Sequence, residues 1–218
     1  MLKAVLRSYQ RRRFAWLFFS LLFTLGVYPA LKALAPGFNL LDLLLAVNLL
    51  AAIASLAQER AIRVLLLFGA AFLAVRGIQA VAGIAGMLAL GEALWASACV
   101  LAIAAAARYA LRPGVVDSER IFAALDAYLL AGLVFGVSYW VLEHTWPGSF
   151  GPASVSSLDL DHAVYFSFVT IATLGYGDVV PVSDPARGLA ILEAVGGQMY
   201  LTVLVARLVS LYSAQADR

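Results

Sequence analysis

The residues best suited to chemistry lie near the C-terminal end of the chain, in the run TIATLGYGD at Thr170–Asp178. Four copies of the strand within it would point rings of backbone carbonyls at a common axis, and such rings replace the water shell of a dehydrated potassium ion. The strand consists of Thr173, Leu174, Gly175, Tyr176 and Gly177. We expect a left-handed backbone at the two glycines, because residues with a Cβ adopt it only at a cost. A glycine-rich surface turn, the alternative, fits a bare GYG but not one placed between two apolar helices.

Composition indicates that membrane helices must hold this run in place. Hydrophobic residues make up 63% of the 218 residues and charged residues only 13%, whereas about a quarter of residues are charged in soluble proteins. We therefore predict an all-α integral membrane protein. A span needs about 20 apolar residues, which indicates six transmembrane helices and a re-entrant pore helix at about 159–172. The predicted spans are residues 14–34, 40–57, 62–81, 92–111, 121–142 and 188–212.

These spans group into a predicted domain organisation: a basic cytosolic N-terminus (1–13), a four-helix transmembrane domain (14–111), a linker (112–120) and a pore domain (121–218). Every Lys and Arg falls at a predicted cytosolic end except Lys32, Arg76 and Arg187. Because an excess of basic residues marks the cytosolic side, we expect a multi-pass protein of the cell membrane, inner or plasma, with both termini cytoplasmic. The TLGYGD loop then faces the extracytoplasmic side.

The region from Asp161 to about Ser213 resembles the pore module of the potassium-channel superfamily, above all its bacterial members. Tyr165–Thr170 resembles the family's pore helix, Asp178–Pro181 its outer mouth and Tyr128–Glu143 its outer helix. The resemblance implies potassium ions at the filter carbonyls, no organic cofactor, and a homotetramer in the lipid bilayer, since each chain carries one pore loop. Ala172 departs from the pattern, because many members carry a second Thr there; we expect altered ion binding at the inner sites and retained selectivity.

The resemblance also implies roles for residues around the filter, Thr173–Gly177. Tyr165 and Phe166, which precede the filter in the same helix as Thr170, match an aromatic cuff that braces Tyr176 from behind. Asp178 matches an outer-mouth carboxylate that holds the top of the filter and attracts cations; a solvated loop charge is the alternative.

Two adjacent glycines, Gly196 and Gly197, interrupt the sixth predicted span. Gly197 occupies the spacing after the filter at which the family's inner helix carries its gating hinge, and glycines permit a bend. Small residues also allow close packing against the pore helix. We favour the hinge; in either case Gly197 should face a crowded neighbour.

Charged residues within spans form a candidate intramembrane network, because such residues are functional or paired by default. We expect structural pairing rather than contact with ions. Asp126 is predicted to pair with Arg207, Glu193 to support the pore-helix layer, and Arg76 to be neutralised by Asp42 and Glu92.

Several function classes are disfavoured by the sequence. The fourth predicted span has no basic residue from Leu94 to Ala107, whereas a voltage sensor needs an arginine at every third position there, so gating should depend at most weakly on voltage. The net charge of +2 argues against nucleic acid as a partner, and no nucleophile–base or metal-ligand spacing indicates an enzyme. A weakly selective cation pore and a silent or accessory membrane subunit remain as alternatives to a potassium-selective channel.

Overall fold

The computed structural model describes residues 12–34, 44, 47–48, 51–52, 67, 70–71, 74, 86–112, 117–151 and 158–216. Within these ranges the chain is mostly helical. The helices are α1 (Arg13–Leu34), α2 (Gly86–Ala110), α3 (Ser118–Thr145), α4 (Leu160–Ile171) and α5 (Asp184–Ala216). Two short strands, β1 (Phe150–Gly151) and β2 (Val180–Pro181), pair antiparallel, with Phe150 opposite Pro181 and Gly151 opposite Val180.

Two of the described helices are long and apolar enough to cross a membrane, Ser118–Thr145 and the Asp184–Ser210 part of α5. Helices α3 and α5 contain the fifth and sixth predicted spans, and α4 matches the predicted pore helix to within one residue at each end. The second and third predicted spans lie mostly outside the described residues, so the count of six stays a prediction. Helix α2 begins at Gly86, earlier than predicted, because the Met, Leu and Ala residues that follow Gly86 favour a helix.

The chain divides into two compact units, Met1–Leu129 with Leu211–Arg218, and Leu130–Ser210. In the first unit, α1 buries Phe14, Leu17 and Leu21. The Phe14 ring stacks on Tyr109 of α2 at 4.8 Å between centroids, and its amide donates to Glu119 Oε2 at 3.1 Å. The buried face of α2 consists mainly of small residues: Ala98, Cys99, Ala102, Ala106 and Ala110.

The second unit contains most of α3, the strand pair, α4, the filter and most of α5. Its core packs Tyr139 of α3 against Phe166 of α4, with ring centroids 4.9 Å apart, together with Leu158 and Ala163. The loop between α3 and β1 is held by Glu143, whose carboxylate oxygens accept hydrogen bonds from the Gly148 and Phe150 amides at 2.9 and 3.2 Å. The segments before α4 and after the filter are thus tied together by β1 and β2.

Candidate functional site

Helix α4 ends abruptly at the start of the filter. Its N-terminus is capped by Asp159, which accepts a hydrogen bond from the His162 amide at 2.8 Å. At its C-terminus, the Thr173 amide donates to Thr170 O at 3.0 Å and the Leu174 amide donates to Val169 O at 2.9 Å. These two bonds, with φ of +58° at Thr173, form a Schellman cap in which Thr173 takes the left-handed position that usually holds glycine. The first residues of the filter therefore satisfy the last carbonyls of the pore helix.

The backbone of the filter alternates in handedness. The φ angle is positive at Thr173 (+58°), Gly175 (+59°) and Gly177 (+78°), and it is not positive at the intervening Leu174 and Tyr176. The left-handed conformation expected at both glycines is confirmed. In an extended strand successive carbonyls point to opposite sides. A left-handed backbone at every second residue turns these carbonyls toward a common side. This backbone suits a row of carbonyl ligands for one ion pathway.

A left-handed Thr173 was not foreseen from the sequence. A positive φ at a β-branched residue is a conformational outlier, and such strain costs roughly 1–3 kcal/mol where the surroundings enforce it. Here the Schellman bonds of α4 enforce it. Glycine at position 173 would relieve this strain, but it would also remove the hydroxyl group. A threonine that is kept despite the strain is expected if its hydroxyl group has a function.

The filter is open to its surroundings in a single chain. Every residue from Ala172 to Asp178 is exposed, including 57% of Leu174 and 67% of Tyr176. A Cβ at Gly175 or Gly177 would meet no atom within 4 Å. Glycine is therefore required at these positions by the backbone conformation and not by crowding within the chain.

The outer mouth is held by a hydrogen bond between α4 and the residue after the filter. Tyr165 Oη donates to Asp178 Oδ2 at 2.8 Å, and Asp178 Oδ1 accepts from the Val179 amide at 3.1 Å. The bond from Tyr165, followed by the backbone bonds, lowers the pKa of Asp178, and the same contact raises the pKa of Tyr165. Asp178 is thus kept ionised and fixed at the top of the filter.

The second aromatic residue of the predicted cuff has a different neighbourhood. Phe166 packs edge-on against Tyr139 and Phe150, with centroids 4.9 and 5.5 Å away. Among the described residues its ring contacts do not include Tyr176. Consecutive residues of a helix point in directions about 100° apart, which accounts for the different neighbours of Tyr165 and Phe166. Phe166 belongs to the core behind the pore helix.

A buried polar cluster joins the three helices of the second unit, as expected for Glu193. Tyr139 Oη of α3 donates to Glu193 Oε2 of α5 at 2.5 Å. Ser167 Oγ of α4 contacts Glu193 Oε1 and also lies 2.6 Å from Gly132 O of α3. Glu193 therefore contacts the pore helix, and its role in supporting the pore-helix layer stays a prediction. Its partners Tyr139 and Ser167 were missed, because their separations of 54 and 26 residues leave no local pattern.

Glycines bring the neighbouring helices close to α4. A Cβ on Gly132 would lie 2.7 Å from the Phe168 ring, and one on Gly136 would lie 2.8 Å from Val164 Cα. Gly132 and Gly136 have the four-residue spacing that lets membrane helices approach closely, a signal that would have identified them from the sequence. A Cβ on Gly197 would lie 2.5 Å from Ile171 Cγ1, so the crowding predicted at Gly197 is confirmed.

The remaining predicted site residues receive less support. Helix α5 continues without a break through Gly196 and Gly197, and the hinge stays a prediction. Asp126 is buried, and no described residue makes a hydrogen bond to either of its carboxylate oxygens. The described residues therefore give no support to its predicted pairing with Arg207. Asp42, Arg76 and the side chain of Glu92 lie outside the described residues.

Comparison with known proteins agrees with this geometry. Residues 124–214 match the model of a family described as "Ion channel". Protein LctB of Bacillus caldotenax is 30% identical over 96 residues, which cover 42% of this chain and 71% of that protein. The inward rectifier potassium channel Kirbac3.1 of Paramagnetospirillum magnetotacticum is 35% identical over 80 residues, covering 35% of this chain and 24% of the relative. The chain belongs to the potassium-channel superfamily.

The matched regions are short relative to most of these relatives. The two pore potassium channel c of Oryza sativa subsp. japonica is 31% identical over 99 residues, which cover 45% of this chain and 20% of the relative. The chain thus spans about a fifth to a quarter of the two-pore and inward-rectifier relatives named here. No solved structure matches the chain. All matches to relatives concern less than half of this chain, and the family model covers the end that contains α4, the filter and α5.

Proposed function

We propose that this protein is a potassium-selective channel that conducts K⁺ passively through a central pore formed by four copies of the chain. The observation that carries the proposal is the alternating backbone of Thr173–Gly177, positive in φ at every second residue and exposed in the single chain. Four such strands around an axis would supply stacked rings of carbonyl oxygens for a dehydrated K⁺, with the Thr173 hydroxyls below them. The relatives whose printed names include "potassium channel" support the choice of ion.

Tetrameric assembly is supported by the surfaces that one chain leaves uncovered. A ring of ligands needs several filters, and each chain has one. Helix α5 exposes large apolar side chains at every fourth position, Ile191, Val195, Met199 and Val203, each more than half exposed. Such a stripe on one face suits packing against neighbouring copies around the pore axis.

The proposed channel lies in the cell membrane with both termini cytoplasmic and Asp178 at the extracytoplasmic mouth. The ionised Asp178 would attract cations to this end. Gating would depend at most weakly on voltage, because the described helix α2 carries no basic residue between Leu94 and Ala107. Moving one elementary charge across the membrane field is worth about 2.3 kcal/mol per 100 mV, so a helix without such charges contributes no voltage dependence of its own.

Reconstitution of the purified chain tests the proposal. We expect K⁺ flux into liposomes, a bilayer reversal potential that follows the K⁺ gradient and not the Na⁺ gradient, and a native mass of four chains. Gly177→Ala is the matched control, because its Cβ meets no atom within 4 Å but its backbone has φ of +78°. An assembled protein with no flux would favour a silent or accessory subunit, and a reversal potential that responds equally to Na⁺ would favour a weakly selective cation pore. Either result overturns the proposal.

A further inference from the structure

The buried side chain of Glu193 has an unusual set of partners. It is fully buried between α3, α4 and α5. Its two oxygens contact the hydroxyl groups of Tyr139 and Ser167, and the Ser167 hydroxyl also contacts Gly132 O. The cluster therefore contains three oxygen–oxygen contacts at hydrogen-bonding distance.

Counting hydrogens shows that two hydroxyl groups cannot satisfy all three contacts. Each hydroxyl has one hydrogen to donate. Tyr139 uses its hydrogen toward Glu193 Oε2, and Ser167 uses its hydrogen toward Gly132 O, because a carbonyl oxygen is only an acceptor. The contact between Ser167 Oγ and Glu193 Oε1 then needs a hydrogen on the glutamate. A carboxylic acid supplies it, whereas a carboxylate only accepts.

The charges around Glu193 agree with a neutral group. Its side-chain partners are one tyrosine, the only titratable group that contacts it among the described residues, and one serine. The described contacts between basic and acidic side chains, His162 with Asp159 and Arg187 with Asp184, do not involve it. Burying an isolated ionised carboxylate is far more costly than burying a neutral, hydrogen-bonded one.

Glu143 of α3 provides a contrast within the same unit. Both of its oxygens accept hydrogen bonds from backbone amides, those of Gly148 and Phe150. Each contact has its own donor, so this side chain needs no proton of its own. The two buried glutamates are thus distinguished by the chemistry of their partners, and only the cluster of Glu193 lacks a hydrogen.

We propose that Glu193 is held as a neutral carboxylic acid that donates its proton to Ser167, and that this link positions the pore helix α4 for ion selectivity. Glu193 lies one helical turn before Gly197, which contacts Ile171 at the end of α4. The acid and the glycine contact therefore hold α4 to α5 at two successive turns, the second of them at the last residue of α4 before the filter run. The positioning role rests on the proposed channel function; the protonation state does not.

Infrared difference spectroscopy tests the protonation state without any measurement of ion flux. The purified assembly is labelled with ¹³C at the glutamate side-chain carboxyl groups, so that glutamate bands shift and aspartate bands do not. We expect a protonated-carboxyl carbonyl band in the wild type that shifts with the label and is missing in Glu193→Gln. Glu143→Gln is the matched control and should retain the band. A wild-type spectrum without a labelled protonated band, or one that Glu193→Gln leaves unchanged, overturns the proposal.

Substitutions at Glu193 test the positioning role. Glutamine presents one acceptor to Tyr139 and one donor to Ser167, as the neutral acid does, so Glu193→Gln should assemble and keep the K⁺ over Na⁺ permeability ratio of the wild type. Glu193→Ala removes both contacts, and we expect that ratio to fall at least about tenfold while insertion persists. A Gln variant that fails to assemble, or one as unselective as the Ala variant, contradicts a neutral acid. An Ala variant as selective as the wild type contradicts positioning. If the wild type itself passes no ions, the infrared result still decides the protonation state.

Discussion

Replacing each of the two adjacent glycines of α5 by alanine separates close packing from helix propensity. A Cβ on Gly197 would lie 2.5 Å from Ile171 Cγ1, whereas one on Gly196 would meet no atom within 4 Å. Carbon atoms in contact normally lie about 3.5–4.0 Å apart, so Gly197→Ala forces Ile171 or the helix backbone to move by about 1 Å or more. Ile171 is buried, with 1% of its surface exposed, and it has little room to do so.

The magnitude follows from comparing the two variants. Both replace glycine by alanine in the interior of one helix, and each gains about 1 kcal/mol of helix propensity, which cancels in the comparison. The steric term remains, about 1–3 kcal/mol for overpacking a core. We therefore expect Gly197→Ala to be less stable than Gly196→Ala by about 1–3 kcal/mol.

The assay is thermal unfolding of the detergent-solubilised assembly. At about 2–4 °C per kcal/mol for a chain of this length, the midpoints of the two variants should differ by about 2–12 °C. Ile171→Ala removes the clashing atom, so adding Gly197→Ala to it should no longer destabilise, and the double-mutant cycle should show a coupling energy of about 1–3 kcal/mol. Equal midpoints for the two glycine variants, or additive effects of Gly197→Ala and Ile171→Ala, would refute the packing contact.

The same variants address the predicted hinge. If Gly197 acts mainly through packing, Ile171→Ala should restore both the stability and the open probability that Gly197→Ala removes. If Gly197 bends during gating, the open probability of the double variant should stay low even where its stability is restored. Single-channel recording of the three variants distinguishes the two roles.

Four further predictions concern the filter, its mouth and the voltage dependence. Gly177→Ala, which places a Cβ on a residue with φ of +78°, should insert and assemble but lose potassium selectivity; unchanged selectivity in bilayers would contradict the filter assignment. Thr173→Gly should raise stability by about 1–2 kcal/mol, since the left-handed strain disappears, and should weaken K⁺ binding measured by calorimetry. Tyr165→Phe removes the main cause of the lowered pKa of Asp178, so the Asp178 carboxylate should lose its charge at a higher pH on acidification. The midpoint of the acid inhibition of inward K⁺ flux should therefore move to a higher pH. This shift should be absent in an Asp178→Asn background. Arg76→Gln should lower assembly more than it alters the conductance–voltage curve; a steep curve that flattens would identify Arg76 as a sensor.

Local features of this protein were predictable because short stretches of sequence determine them. The start of α4 follows from Asp159 as its cap, and the filter run after it limits the length of the helix. The left-handed backbone at Gly175 and Gly177 follows from the absence of a Cβ. Apolar length alone predicted that α3 and α5 are long enough to cross a membrane. Each of these conclusions needs only a few neighbouring residues or their composition.

The features that support the filter were decided by the tertiary structure. Asp178 receives the Tyr165 hydroxyl from 13 residues away, and Glu193 meets Tyr139 from 54 residues away. Thr173 is left-handed because the last carbonyls of α4 bind the amides that follow it, despite a residue type that disfavours this conformation. Such contacts depend on where helices cross and which faces they present there. Those positions arise from packing across the whole unit, and no local pattern of residue types encodes them.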